Sequence, residues 1–330
     1  AKKAGIYFTN NLAFNPVGTT VFGSGAAAST LNVAGIGINP AATGTGIALE
    51  GTGANAATLN FTAPTTLNGG ATGLSATGSA SAITGNSLAN VTFTGQSGDY
   101  ITLSNNAFTT QQLDATASLF DGTTGAGKTN AQLFATEDKI THRIEDKNLG
   151  FVLVKTANAY VTDIDLTATP TNNDYTRIRN AVELVANNWS INLKGTFDWT
   201  LPFADNSWSL GNDDVLSTGD DRSIVVPANL NGVTFTAPDG LGTASIQGPG
   251  DIAAANLEGV LVFDGGDNQN WTISNLEFLN FDMAIGMFFG AGGVDAFNGT
   301  TITNNHILIA TDLNTVDAPA DVNQNIGIHY

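Results

Sequence analysis

The chain is built from short apolar-alternating stretches, none longer than a dozen residues, separated by turns rich in Gly, Asn and Thr. The N-terminal set is GIYFTN (5–10), TLNVAGIGIN (30–39), GIALEG (46–51), ATLNFT (57–62), ANVTFTG (89–95), DYITLSNNAF (99–108) and QLDATASLF (112–120). The C-terminal set has the same texture, from WSINLKGTFDWT (189–200) through GVTFTAP (232–238), WTISNLEFLNF (271–281) and TTITNNHILIA (300–310) to NIGIHY (325–330). Strands of this length at this spacing leave three architectures open: a sandwich, a propeller or a β-solenoid. Composition agrees. There are 38 Gly, 36 Asn and 43 Thr, and charged residues are only 12% of the chain, against a usual share of about 25%. Thr suits strands, and Gly and Asn suit tight turns.

Internal similarity favours the solenoid. WTISN (271–275) matches TTITN (300–304), and IYFTN (6–10) has the same shape. Each places an Asn directly after a short strand. In a parallel β-helix such side-chain amides stack into a ladder along the axis and satisfy turn groups that would otherwise be unpaired. Asn10, Asn275 and Asn304 are the expected ladder turns.

Two segments break the β texture. Residues 135–148, ATEDKITHRIEDKN, space Ile140 and Ile144 as one helix face. Residues 174–187 carry the stripe Tyr175, Ile178, Ala181, Val182 and Val185, with Asp174 as N-cap. Two short helices covering coil ends are therefore expected, because an uncovered end exposes apolar interior and unpaired strand edges.

The run NDYTRIRNAVELVANNWSINLKGTFDWT (173–200) resembles the start of a pectate-lyase-like right-handed β-helix domain. ATEDKITHRIEDKNLGFVLVKTANAYVT (135–162) resembles the closing segment between β-helix units of giant bacterial surface proteins. The resemblance implies an all-β, right-handed parallel β-helix with two short capping or linker helices. It also implies an order: final coils of one unit over 1–134, a closing helix and linker over 135–172, and a capping helix with the first coils of the next unit over 173–330. The expectation is one period of a tandem or head-to-tail array. Ile326, Ile328 and Tyr330 of one copy would then meet Ile6, Phe8 and Leu12 of the next, since these residues alternate as inward-facing residues do.

Charge limits the partners. With 11 basic and 29 acidic residues the net charge is −18, so nucleic acid and anionic membrane surfaces are excluded as main ligands. No stretch is continuously apolar enough to span a membrane. The chain has no Cys, which removes disulfides and thiol chemistry and suits an extracellular, cell-surface setting.

The family likeness raises a second reading, a carbohydrate-binding or polysaccharide-lyase-type protein. A lyase needs clustered carboxylates for Ca²⁺ and an Arg or Lys base facing the same groove. The acidic stretch GNDDVLSTGDD offers Asp213, Asp214, Asp220 and Asp221 as weak Ca²⁺ candidates, but the only basic residues over 189–330 are Lys194 and Arg222, and the His that usually accompanies the paired carboxylates of a hydrolase is missing beside them. His142, His306 and His329 are far apart in sequence and read as packing or surface residues. The expected chain is therefore non-enzymatic and without a resident cofactor: a filament, stalk or adhesin unit that partners copies of itself and, secondarily, glycans or cell surfaces.

Overall fold

A computed structural model describes residues 13–14, 21–22, 29–53, 56–164, 173–199, 223–248, 259–264, 267–281, 283–288, 298–309 and 328–329. The protein is mostly β with parallel sheets. It divides into two compact units, Ala1–Thr156 and Ala157–Tyr330.

Among the described residues of the first unit, no strand pairs with its neighbour in sequence. Up to Ile101–Ser104 the chain visits three sheets in turn and then returns to the first; a separate parallel pair, Gln112–Asp114 with Phe151–Leu153, follows. The first sheet is Ser29–Val33, Ala57–Phe61 and Ser81–Ile83. The second is Ala13–Phe14, Gly37–Ile38, Thr65–Asn68, Val91–Thr94 and Leu119–Phe120. The third is Val21–Phe22, Thr45–Glu50, Thr72–Thr77, Ile101–Ser104 and Ile140–Thr141. Partners are separated by one full circuit of the three sheets, as in Ala57 with Ser81 and Gly37 with Thr66. Alternation along each strand puts every second side chain inside, and parallel register then stacks like on like. Ile47, Leu74, Ile101 and Ile140 form one such column, 0 to 3% exposed. Phe93 and Phe120 form another, their rings stacked at 5.3 Å.

The second unit repeats the cycle. Its first sheet runs through Asn158–Thr162, Ser190–Asp198, Thr234–Thr236, Thr272–Ser274 and Thr301–Thr303. Ser190–Asp198 bends at Gly195, and its second half opens the next sheet, with Ala244–Gln247, Glu277–Phe281 and His306–Ile309. The third sheet holds Ser223–Val225, Gly259–Asp264, Met283–Phe288 and Ile328–His329. The circuit from Gly195 to its partner Ala244 is about twice as long as that from Gly259 to Met283. Two of the unit's ladders also shift register by one residue, at Ser223/Ile224 and at Leu279/Phe281.

Both helices differ in detail from the sequence expectation. The first, α1, is Asn130–Glu137 rather than 135–148. Thr129 and Gln132 form a capping box that starts the helix early. Ile140 is instead drawn into the third sheet, where it pairs with Ile101 in parallel. The i, i+4 spacing of Ile140 and Ile144 therefore serves a strand and a buried turn. The helix makes the circuit from Ile101 to Ile140 longer than the preceding one, from Leu74 to Ile101, without disturbing the column. The second helix, α2, is Asp174–Leu184. Its N-cap is Asn173, which accepts from Thr176 N–H, so Asp174 is the first helical residue rather than the cap. Tyr175, Ile178, Ala181 and Val182 are at most 2% exposed, and the helix packs on Asn158–Thr162 and Ser190–Asp198.

Candidate functional site

The most developed polar arrangement is the turn entering the first sheet of the second unit. Four tetrapeptides occupy equivalent places there: NNWS (187–190), NGVT (231–234), QNWT (269–272) and NGTT (298–301). Their last residues pair in register, Ser190 with Thr234, Thr272 and Thr301. Their second residues, Asn188, Gly232, Asn270 and Gly299, all have positive φ, between 59° and 75°. Asn and Gly are the residues that tolerate this conformation. Their first residues carry an amide ladder. Asn231 N–H donates to Asn187 Oδ1 at 2.8 Å, and Gln269 N–H donates to Asn231 Oδ1 at 2.6 Å. Buried Asn268 adds a rung by accepting Leu230 N–H at 3.0 Å. The side chains of Asn188 and Asn270 lie over the bare Cα atoms of Gly232 and Gly299.

The turn leaving that sheet holds two of the expected ladder residues. Asn275 and Asn304 are both left-handed, and Asn304 Nδ2 donates to Asn275 Oδ1 at 2.6 Å. Asn305 accepts Leu276 N–H and donates to Ile273 C=O. In the first unit Asn60 donates to Asn32 at 2.8 Å. Asn10 lies outside the described residues. The repeat over 187–301 is absent from the sequence reading; its signal emerges only when the tetrapeptides are aligned on their final Ser or Thr.

Titratable groups tie backbone together. Asp174 accepts Ile164 N–H at 2.9 Å through Oδ1 and Asp198 N–H at 2.7 Å through Oδ2. Burial pushes its carboxyl up to about 6, against the pull of those two donors. His142 is fully buried; its Nδ1 accepts Val152 N–H at 3.0 Å and its Nε2 lies 2.7 Å from Glu137 Oε1. Burial pushes the Glu137 carboxyl up, with His142 opposing. Asp121 accepts from the Tyr100 hydroxyl and from Gly95 N–H. Burial raises its pKa, but those hydrogen bonds with Lys139 and Lys128 outweigh it and hold Asp121 below the carboxylate range. Burial first, then the Asp121 partner, pushes the Tyr100 hydroxyl up.

Asp213, Asp214, Asp220 and Asp221 lie outside the described residues, as do Ile6, Phe8, Leu12, Ile326 and Tyr330. Ile328 is described and pairs with Ile285. Among the described residues no group of three or more His, Cys, Asp or Glu could hold a metal ion. Likewise no described helix is long and apolar enough to cross a membrane. His306 is 55% exposed, with Nδ1 3.6 Å from Glu277. Trp271 is buried, and its indole N–H donates to Leu230 C=O at 2.6 Å.

Comparison of the chain with family models, with curated proteins and with solved structures finds no match. The likeness to pectate-lyase-like domains rests on the quoted sequence runs alone.

Proposed function

We propose that each unit is a right-handed parallel β-helix, and that the chain is a structural repeat unit of an extracellular filament, stalk or adhesin fibre assembling end to end. The observation that carries this reading is the parallel pairing of strands, a circuit of chain apart, repeated from sheet to sheet in both units. Parallel partners so distant in sequence require a full circuit of chain between them, and a fixed three-sheet order makes each circuit a coil. Crossovers between parallel strands are right-handed in about 98% of cases. Such a stack grows in one dimension, by about 4.8 Å per coil, and its polar ladders run along the growth direction. The described carboxylates hold turns and a helix start, which fits a scaffold better than a reaction centre.

The test is electron microscopy and sedimentation of the purified chain over a wide concentration range. Rods of constant width whose length grows with concentration are expected. Monodisperse single-chain particles at every concentration would overturn the proposal.

A further inference from the structure

Five Asn-x-Ser/Thr triplets occur in the chain, at Asn60, Asn90, Asn188, Asn270 and Asn298. On a folded chain such a triplet accepts an N-linked glycan only where the Asn amide nitrogen and the Ser or Thr hydroxyl are both within reach of a transferase. The fold separates the five. Asn60 Nδ2 donates to Asn32 Oδ1 at 2.8 Å, and the hydroxyl of its triplet, on Thr62, donates to Val33 C=O at 3.3 Å. Asn90 Nδ2 donates to Phe61 C=O at 3.1 Å. Asn298 is exposed, but the hydroxyl of its triplet, on Thr300, is buried.

Asn188 and Asn270 meet both conditions. Both are exposed, and among the described residues no hydrogen bond involves either side-chain amide. The hydroxyl residues of their triplets, Ser190 and Thr272, are partly exposed and stand in one column with Thr234 between them. Both Asn residues are left-handed, at φ 64° and 59°. The middle residue of the second triplet, Trp271, is fully buried, with its indole N–H on Leu230 C=O. It anchors the triplet from within while Asn270 and Thr272 reach solvent. Trp189 holds the same place in the first triplet.

Glycine separates the two acceptors. Gly232 occupies the row between them and Gly299 the row after. A Cβ on either glycine would collide with the amide oxygen of Asn188 or Asn270. The column therefore cannot carry a side chain on every row. Its two Asn residues stand two strand spacings apart, about 10 Å. That leaves room for one bulky sugar chain on each, which adjacent rows at about 4.8 Å would not.

We propose that Asn188 and Asn270 are a pair of N-glycosylation sites, accepting an oligosaccharide activated as its lipid diphosphate. The amide nitrogen attacks the anomeric carbon. The new C–N bond forms as the sugar–phosphate C–O bond breaks, the lipid diphosphate leaves with the electron pair, and one amide proton passes to a base of the transferase. The product coats the turn entering the first sheet of the second unit with hydrated sugar, on a chain only 12% charged. This inference rests on the extracellular setting proposed above and not on end-to-end assembly. Glycan transfer without rods would sink only the filament reading.

The test incubates the folded full-length chain with a purified oligosaccharyltransferase and its lipid-diphosphate oligosaccharide, and reads each site by glycopeptide mass spectrometry. Transfer to Asn188 and Asn270 is expected. Asn60, Asn90 and Asn298 react only through local opening, so their occupancy should trail by about tenfold or more. Ser190→Ala should remove the glycan at Asn188 alone, and Thr272→Val that at Asn270 alone, each with the circular dichroism of the wild type. Should either variant misfold, Ser190→Thr and Thr272→Ser keep the hydroxyl and should keep their glycans. No transfer to either Asn188 or Asn270 would overturn the proposal, and so would equal occupancy at all five triplets.

Discussion

Gly232 offers the sharpest test of the left-handed column. Its φ is +70°, and a Cβ added there would stand 2.4 Å from Asn188 Oδ1 and 3.2 Å from Asn188 Cγ. Gly232→Ala therefore carries two costs. Holding an L-residue in the left-handed region costs about 1–2 kcal/mol. Pushing the Asn188 amide off its rotamer adds about 0.5–1.5 kcal/mol. Together they come to about 2–3 kcal/mol. The assay is urea unfolding followed by tryptophan fluorescence. Trp189, Trp199, Trp208 and Trp271 all lie in the second unit, so the signal reports that unit alone. With an m-value of about 2 kcal/mol/M, the midpoint should fall by about 1–1.5 M. In an Asn188→Gly background the clash is gone and only the backbone cost remains, so Gly232→Ala should cost about 1 kcal/mol less there. A midpoint shift under about 0.25 M would refute the reasoning, and so would equal costs in the two backgrounds.

Two further outcomes follow from the second unit. Asp174 holds its proton more tightly folded (about 6) than at its ordinary value of 3.8. The folded state therefore binds more protons in that window, and this group's contribution falls as pH rises from 4 to 6, by about 3 kcal/mol. Unfolding midpoints at pH 4.5 and 7 should differ in that direction, and Asp174→Asn should flatten the difference. Trp271→Phe leaves Leu230 C=O without its indole donor and opens space beside Phe263, whose ring meets the indole edge-on at 5.0 Å. A loss of about 2–4 kcal/mol is expected in the same urea assay, read by circular dichroism because the variant removes one fluorophore.

Much of the β framework is legible in the sequence because alternation of period two survives in each short strand. Ile47, Leu74 and Ile101 are apolar at inward positions whatever their partners, and their burial follows. The second helix is legible for the parallel reason, since Tyr175, Ile178 and Val182 keep one helical face. The first is misplaced by sequence reasoning because Ile140 and Ile144 satisfy a helical spacing by accident, while Ile140 gains more from its column under Ile101. Local periodicity cannot register a partner that lies a whole circuit back in the chain. Pairing registers and the Asn187–Asn231–Gln269 ladder stay hidden for the same reason. They depend on circuit length, which varies about twofold in the second unit, from Gly259 with Met283 to Gly195 with Ala244.

Stacking like on like also accounts for the scarcity of charge. A charged side chain in a column meets the residue on the next parallel strand at about 5 Å, where two like charges repel by about 1 kcal/mol even at water's dielectric constant. Among the described register pairs no two like charges face each other. The acidic Glu277 has His306 as its register partner. Ser, Thr and Asn fill outward columns without that penalty and bond along them, as Thr77 does with Ser104 at 3.0 Å. Thr77 also pairs with Glu50 on the neighbouring strand, so it can separate charge from every other effect. Thr77→Glu and Thr77→Lys both lose the Ser104 hydroxyl bond and both add a long side chain. They differ in sign toward Glu50. The lysine variant should be more stable than the glutamate variant by about 1–2 kcal/mol at low salt. In 1 M NaCl, where the Debye length is about 3 Å, most of that difference should vanish. The first unit has no tryptophan, so circular dichroism must report its unfolding. A glutamate variant as stable as the lysine variant at low salt would mean that column neighbours do not feel each other's charge, and composition would need another explanation.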